Sequence, residues 1–93
     1  MMSTLPIKLE KTKKEDIDKE IARAGMIAEL DAVNFYEQMA AMTENGDLKK
    51  VLLDIAKEEK THIAEFEVML LKMDKEQVNE NEEGRKEISK LTG

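Results

Sequence analysis

Two long stretches of the chain, divided by Asn45-Gly46, repeat apolar residues every three or four positions, and no Pro falls between Lys13 and Met73. That period is the mark of amphipathic α-helices. On the first stretch the stripe reads Ala22, Met26, Glu29, Val33, Tyr36, Ala40; on the second it reads Leu48, Leu52, Ile55, Glu59, His62, Phe66, Met69, Met73. Lys50, Asp54, Lys57 and Thr61 fall on the opposite side of the second stretch, as solvent requires. Thr12, with Glu15 three residues later, reads as a capping box that starts the first helix. Gly25 costs a helix interior roughly 1 kcal/mol and points to close packing where it stands. Asn45 and Gly46 tolerate the left-handed conformation that stops a helix, and Asp47 reads as the cap of the next one. At about 1.5 Å per residue each arm is on the order of 40 Å long.

The expected fold class is therefore all-α. Residues 1–11 form a flexible N-terminal arm, 12–73 an antiparallel two-helix hairpin, and 74–93 a short C-terminal helical segment. Gly84 interrupts that last segment, and Ile88 and Leu91 are its late apolar anchors. Two helices cannot enclose a core, because each needs more than one neighbour to cover its apolar side. The C-terminal segment has too few apolar residues to cover the hairpin over its whole length. The chain is thus expected to dimerise into a four-helix bundle, and Ile27 and Leu30, which lie off the main stripe, point to a further interface.

Composition narrows the functional classes. Ninety-three residues make one small domain at most. The absence of Cys removes disulfides and thiolate metal sites and is compatible with a reducing cytoplasm. No apolar run approaches the roughly 18 residues of a membrane span, and no signal peptide is visible, so no membrane partner is expected. A net charge of −6, with basic residues interspersed among acidic ones, argues against nucleic acid.

The chemistry-bearing residues lie on the stripes themselves. Glu29 stands 16 residues before Asn45, while Glu59 and His62 stand 14 and 17 after it. In an antiparallel pair all three lie about 21 to 26 Å from the turn, in one layer. An ionised, unpaired carboxylate in an apolar layer costs several kcal/mol. Two carboxylates and an imidazole together make sense when a divalent cation is the missing partner. Residues three apart on a helix share a face, so Glu59 and His62 can reach the same ion. Di-iron helix bundles use a Glu from each of two helices and a Glu-x-x-His from each of the other two. This chain supplies one of each, so two chains about a two-fold axis supply the full set. Oxygen-rich ligation with one imidazole per metal favours iron or manganese over structural zinc. Read from the residues alone, a metal site stands level with a plainer account, in which His62 is a satisfied core histidine and the acids are ordinary. Tyr36, two turns from Glu29, is read either as a hydroxyl behind the ligands or as an amphipathic core residue. Met26, Met39, Met42, Met69 and Met73 read as packing.

At these residues the chain resembles the encapsulated ferritins, small ferritin-like proteins associated with encapsulin nanocompartments. The matching stretches are Ala28-Glu-Leu-Asp-Ala-Val-Asn-Phe-Tyr36 and Ala56-Lys-Glu-Glu-Lys-Thr-His62. The resemblance covers roughly residues 17 to 73. The tail through Lys90-Leu-Thr-Gly93 looks most like the ferritin-like domain that some archaea fuse in front of the encapsulin shell protein. The resemblance implies a ferritin-like four-helix bundle made by a dimer, with dimers arranged in a ring, typically a decamer. It implies an enzyme, a ferroxidase, in which Glu29, Glu59 and His62 bind iron with Tyr36 close by. It further implies that Fe(II) is oxidised to Fe(III) while an encapsulin shell, joined in cis or in trans, supplies the storage volume inside a cytoplasmic nanocompartment. Where the family often carries an acidic pair beside the site, this chain has Ala28 and Asp31, which leaves Asp31 as the candidate for guiding iron in. No Gly-Ser-Leu-type targeting tail follows Leu91, which points to loading by fusion or to an excised domain.

The expected function is thus oxidation of Fe(II) at a di-iron site shared across a dimer, with other divalent cations able to substitute in vitro. A non-enzymatic helical oligomerisation or cargo module holding a structural divalent metal shares every feature above and differs in lacking turnover. A peroxidase of the rubrerythrin type normally adds a Cys-based iron site, and the absence of Cys argues against it.

Overall fold

The computed structural model describes residues 13–93, apart from the side chain of Glu15. The expected N-terminal arm and the Thr12–Glu15 capping box lie outside that description. A 3-10 turn at Lys14–Asp16 leads into α1 (Ile17–Met42), followed by α2 (Gly46–Met73) and α3 (Lys75–Thr92). The described chain is all helical, with no strand. Asp18 and Glu20 in the first turn of α1 place negative charge where the helix dipole favours it.

The hairpin turn is made by polar side chains serving helix ends. α1 stops at Thr43, whose extended backbone (φ −79°, ψ 142°) still lets its N–H bond the Met39 carbonyl at 3.1 Å. Asn45 caps α2: its Oδ1 accepts from the Leu48 N–H at 3.0 Å. The Asn45 N–H in turn donates to Thr43 Oγ1 at 3.1 Å. The cap is therefore Asn45 and not Asp47, which sits inside the first turn and favours the helix by its charge alone. The left-handed stop expected at Asn45-Gly46 is also absent, since among the described residues only Gly93 has a positive φ. Extended backbone at both ends of the three-residue loop reverses the chain without it.

Contacts cross the hairpin in the order Gly25–Phe66, Glu29–His62 and Glu37–Lys60, which is antiparallel register. What lies between the helices is mostly alanine. Ala22, Ala24, Ala32, Ala40 and Ala56 are buried with Val33, Leu52 and Leu70, and among the described residues no large side chain is fully enclosed. Small residues bring the helices close but remove little apolar area from water. Ile27, Leu30, Val51, Leu53, Val68 and Met69 each remain about half exposed. The radius of gyration, 16.5 Å, exceeds the roughly 12 Å of a compact domain of this length. The hairpin alone leaves much of its apolar surface open.

The C-terminal segment is the expected short helix, without the expected interruption. α3 is one continuous helix of 18 residues that runs through Gly84. Local bonds offset the roughly 1 kcal/mol that a mid-helix Gly costs. Asp74 Oδ1 accepts from the Gln77 N–H at 3.0 Å, Gln77 Nε2 donates to Asn81 Oδ1 at 2.9 Å, and Arg85 and Lys86 pair with Glu82 and Glu83. No residue of α3 is buried. Its root is tied to α1 by Arg23, whose Nη2 donates to Asp74 Oδ2 at 2.7 Å. No described helix is long and apolar enough to cross a membrane.

Candidate metal centre

Glu29 projects from the middle of α1, and Glu59 and His62 project from adjacent turns of α2. Antiparallel register then does what the residue count from Asn45 anticipates. Nδ1 of His62 lies 3.4 Å from Oε2 of Glu29 and 3.6 Å from Oε2 of Glu59. One ligand atom from each of the three falls within 4.8 Å of the other two.

Oε2 of Glu29 is buried and has no hydrogen-bond partner among the described residues. Helical backbone N–H groups are committed to their own carbonyls and cannot serve it. The imidazole contacts, at 3.4 and 3.6 Å, are longer than good hydrogen bonds. A dry, unpartnered carboxylate oxygen is expensive, and a cation offsets that cost. Two carboxylates and one imidazole converging on a common point are a donor set suited to divalent iron, manganese or a similar ion. The residues present fit such an ion.

The centre sits at the rim of the hairpin. The stripe drawn along the sequence places Leu48, His62 and Met69 against α1, yet all three are about half exposed, His62 at 47%. Of that stripe Leu52 is buried and Glu59 half-buried, and Ala56 and Leu70, which lie off it, are buried as well. Two helices in contact bury only one edge of a stripe this wide, and its other edge is left open. His62 shares that open edge with Val51, three turns earlier, and Met69, two turns later. Ile27 and Leu30 occupy the other flank, where they line a separate groove of about 390 Å³ with Leu71, Gln77 and Asn81.

Two further candidates stand apart from the three-residue cluster. Tyr36 is half-buried and meets Phe35 edge-on, with ring centroids 5.4 Å apart, and makes no hydrogen bond to the cluster among the described residues. Asp31 is exposed and is not part of the cluster. The Arg23–Asp74 pair is not among the residues that the sequence singles out. Its signal was the spacing Asp74-Lys-Glu-Gln77, which has the form of a helix start.

Residues 5–86 match the sequence model of the family described as EncFtn-like. The chain is 47% identical over 96 residues to the ferritin-like-encapsulin shell fusion protein of Pyrococcus furiosus, an alignment covering 100% of this chain and 28% of that protein. It is 38% identical over 63 residues to the encapsulin nanocompartment cargo protein EncC of Myxococcus xanthus, covering 64% of this chain and 48% of that one. The chain thus spans less than half the length of either relative. Its fold matches the crystal structure of the encapsulated ferritin domain from Pyrococcus furiosus with a TM-score of 0.87 at 45% identity, over 100% of this chain and 97% of that one.

Proposed function

Because the chain belongs to the EncFtn-like family, we propose that it is a ferroxidase, oxidising Fe(II) to Fe(III) at a di-iron site completed between two protomers and feeding iron storage in an encapsulin shell. One observation carries the reading: Glu29, Glu59 and His62 converge around a buried carboxylate oxygen that has no hydrogen-bond partner among the described residues.

One protomer holds one Glu and one Glu-x-x-His, half of what a di-iron bundle uses. A two-fold partner seated on the open edge of His62, Val51 and Met69 supplies the other half and covers that apolar surface. The dimer then presents four carboxylates, whose −4 charge two Fe(II) ions neutralise. Fe(II) is the substrate, and each ion gives up one electron to dioxygen. The carboxylates of Glu29 and Glu59 hold the ion before and after its charge rises, and His62 binds as the neutral imidazole. Burial of Glu29 favours cation binding, because the oxygen gains a partner that water does not provide. Ile27 and Leu30 serve a second contact that joins dimers into a ring, a decamer in this reading.

An open ring encloses no cavity, so ferric product needs a container. One relative is by its name a fusion with an encapsulin shell and the other is by its name an encapsulin cargo. On that ground the chain is assigned to the interior of a cytoplasmic encapsulin nanocompartment, with the shell protein as partner in cis or in trans. Glu29→Ala, Glu59→Ala and His62→Ala should each slow the appearance of ferric absorbance when anaerobic Fe(II)-loaded protein meets air. Three variants that oxidise as fast as the native protein would remove the assignment. Metal retained by the native protein without turnover would leave a structural metal module.

A further inference from the structure

Gly25 has no backbone reason to be a glycine. It lies inside α1 with helical geometry, among described residues of which only Gly93 has a positive φ. There a Gly costs roughly 1 kcal/mol against Ala. What Gly25 does have is a neighbour. A Cβ at this position would stand 2.7 to 2.8 Å from Cε1, Cζ and Cε2 of Phe66, whereas ordinary contact begins at 3.4 Å. The tip of the ring rests on bare α1 backbone. Gly46 and Gly84, by contrast, have nothing within 4 Å of such a Cβ.

The place of this contact gives it a consequence. Gly25 precedes Glu29 by four residues and Phe66 follows His62 by four. The ring contact is therefore about one helical turn, or roughly 6 Å, from the layer where Glu29 faces His62. We propose that the fit of Phe66 onto Gly25 sets the separation of α1 and α2 at that layer, making Gly25 a positioning residue for Glu29 and His62. The proposal rests on the metal-centre reading above. A methyl group at residue 25 is 0.7 Å too close (3.4 minus 2.7) to the ring. Transferred to the helix spacing, that amount is a fifth of the 3.4 Å gap between the Glu29 carboxylate and the His62 imidazole. Ligand sets lose affinity steeply when the groups that orient them shift. The alanines elsewhere between the helices bring them close as well, but each already accommodates its own Cβ.

The test is a Co(II) titration of the whole chain, followed by the ligand-field absorbance of the bound ion. It compares the native protein, Gly25→Ala, the double variant Gly25→Ala/Phe66→Leu, and Gly84→Ala as a control. Thermal midpoints are measured alongside in chelator. Gly25→Ala should bind Co(II) about tenfold or more weakly, with an altered spectrum. The double variant, whose shorter side chain gives the methyl group room, should regain native affinity and spectrum. Gly84→Ala should bind as the native protein does. A role in packing alone would lower the midpoint of Gly25→Ala and leave the affinity and spectrum of folded protein unchanged. That result would overturn the proposal, and it is the one expected if the ring swings into the cleft beside Ile21, Met69 and Met73. A double variant as weak as Gly25→Ala would overturn it too. If Gly25→Ala does not fold, Phe66→Trp probes the same spacing from the other side, and native Co(II) affinity in that variant counts against the proposal. A native protein that binds no Co(II) would instead remove the metal-centre reading, and this proposal with it.

Discussion

Nδ1 of His62 stands 3.4 Å from Oε2 of Glu29, across the contact between α1 and α2. Two residues far apart in sequence meet because the three-residue turn fixes the antiparallel register and alanines keep the helices close. A single protomer therefore brings Glu29, Glu59 and His62 together, with one ligand atom of each within 4.8 Å of the others.

The buried, unpartnered oxygen of Glu29 makes the first prediction. In the proposed metal centre, Glu29→Gln would remove a charge that is costly without metal and needed with it. In chelator its thermal midpoint should equal or exceed that of the native protein. Addition of Mn(II) should raise the native midpoint, by an amount equivalent to about 2.7 kcal/mol at a hundredfold excess over Kd, and leave the variant unmoved. A variant that responds to Mn(II) like the native protein would show that Glu29 is not a ligand.

The two flanks of the hairpin should separate two levels of assembly. Met69→Lys or Val51→Lys places a charge on the edge that His62 occupies and should prevent the metal-loaded dimer. Ile27→Lys or Leu30→Lys, on the flank lined by Leu71 and Gln77, should leave that dimer intact and break only larger assemblies. Native mass spectrometry with Mn(II) distinguishes the two outcomes. Dimers that survive Met69→Lys and Val51→Lys would place the shared site elsewhere.

Much of this architecture is legible in the sequence. Periods of three and four give both long helices, and counting residues from Asn45 places Glu29, Glu59 and His62 in one layer. The helix cap escapes, since Asn45 and Asp47 are both good capping types and only the backbone shows which one reaches an N–H. Gly84 reads as a break, yet local bonds from Asp74 through Lys86 hold α3 together without burial. The stripe on α2 is right in period and too generous in width. A helix with one neighbour buries one edge, so His62, Leu48 and Met69 stay open.

Asp74 should titrate below its ordinary value of 3.8. The Gln77 N–H bonded to its carboxylate lowers the pKa, the Arg23 guanidinium and the Lys19 charge on α1 add to that, and burial opposes them. A lowered folded-state pKa means that this tie stabilises fully above the unfolded value and is lost as pH falls through the folded one. The root of α3 should therefore hold at neutral pH and loosen only in acid. In Arg23→Ala the midpoint should move up toward 3.8, followed through the Asp74 carboxyl carbon by NMR, while Gln77 amide exchange quickens. An unchanged midpoint would mean that the pair does not form in solution.

The hairpin turn offers a stability test free of the metal. Asn45→Ala deletes the bond to the Leu48 N–H and should cost about 1 kcal/mol. Gly46→Ala, with open space around its new Cβ, should stabilise by roughly 0.5 kcal/mol. Urea unfolding in chelator at one fixed protomer concentration measures both.

The central claim is oxidation of iron at a site shared by two chains. It is tested most directly by loading anaerobic protein with two Fe(II) per dimer, admitting air, and recording ferric absorbance together with oligomer mass. The account predicts rapid oxidation confined to a metal-loaded oligomer and lost in Glu59→Ala. Iron that binds without oxidising, or oxidises equally in monomers and in Glu59→Ala, would contradict it.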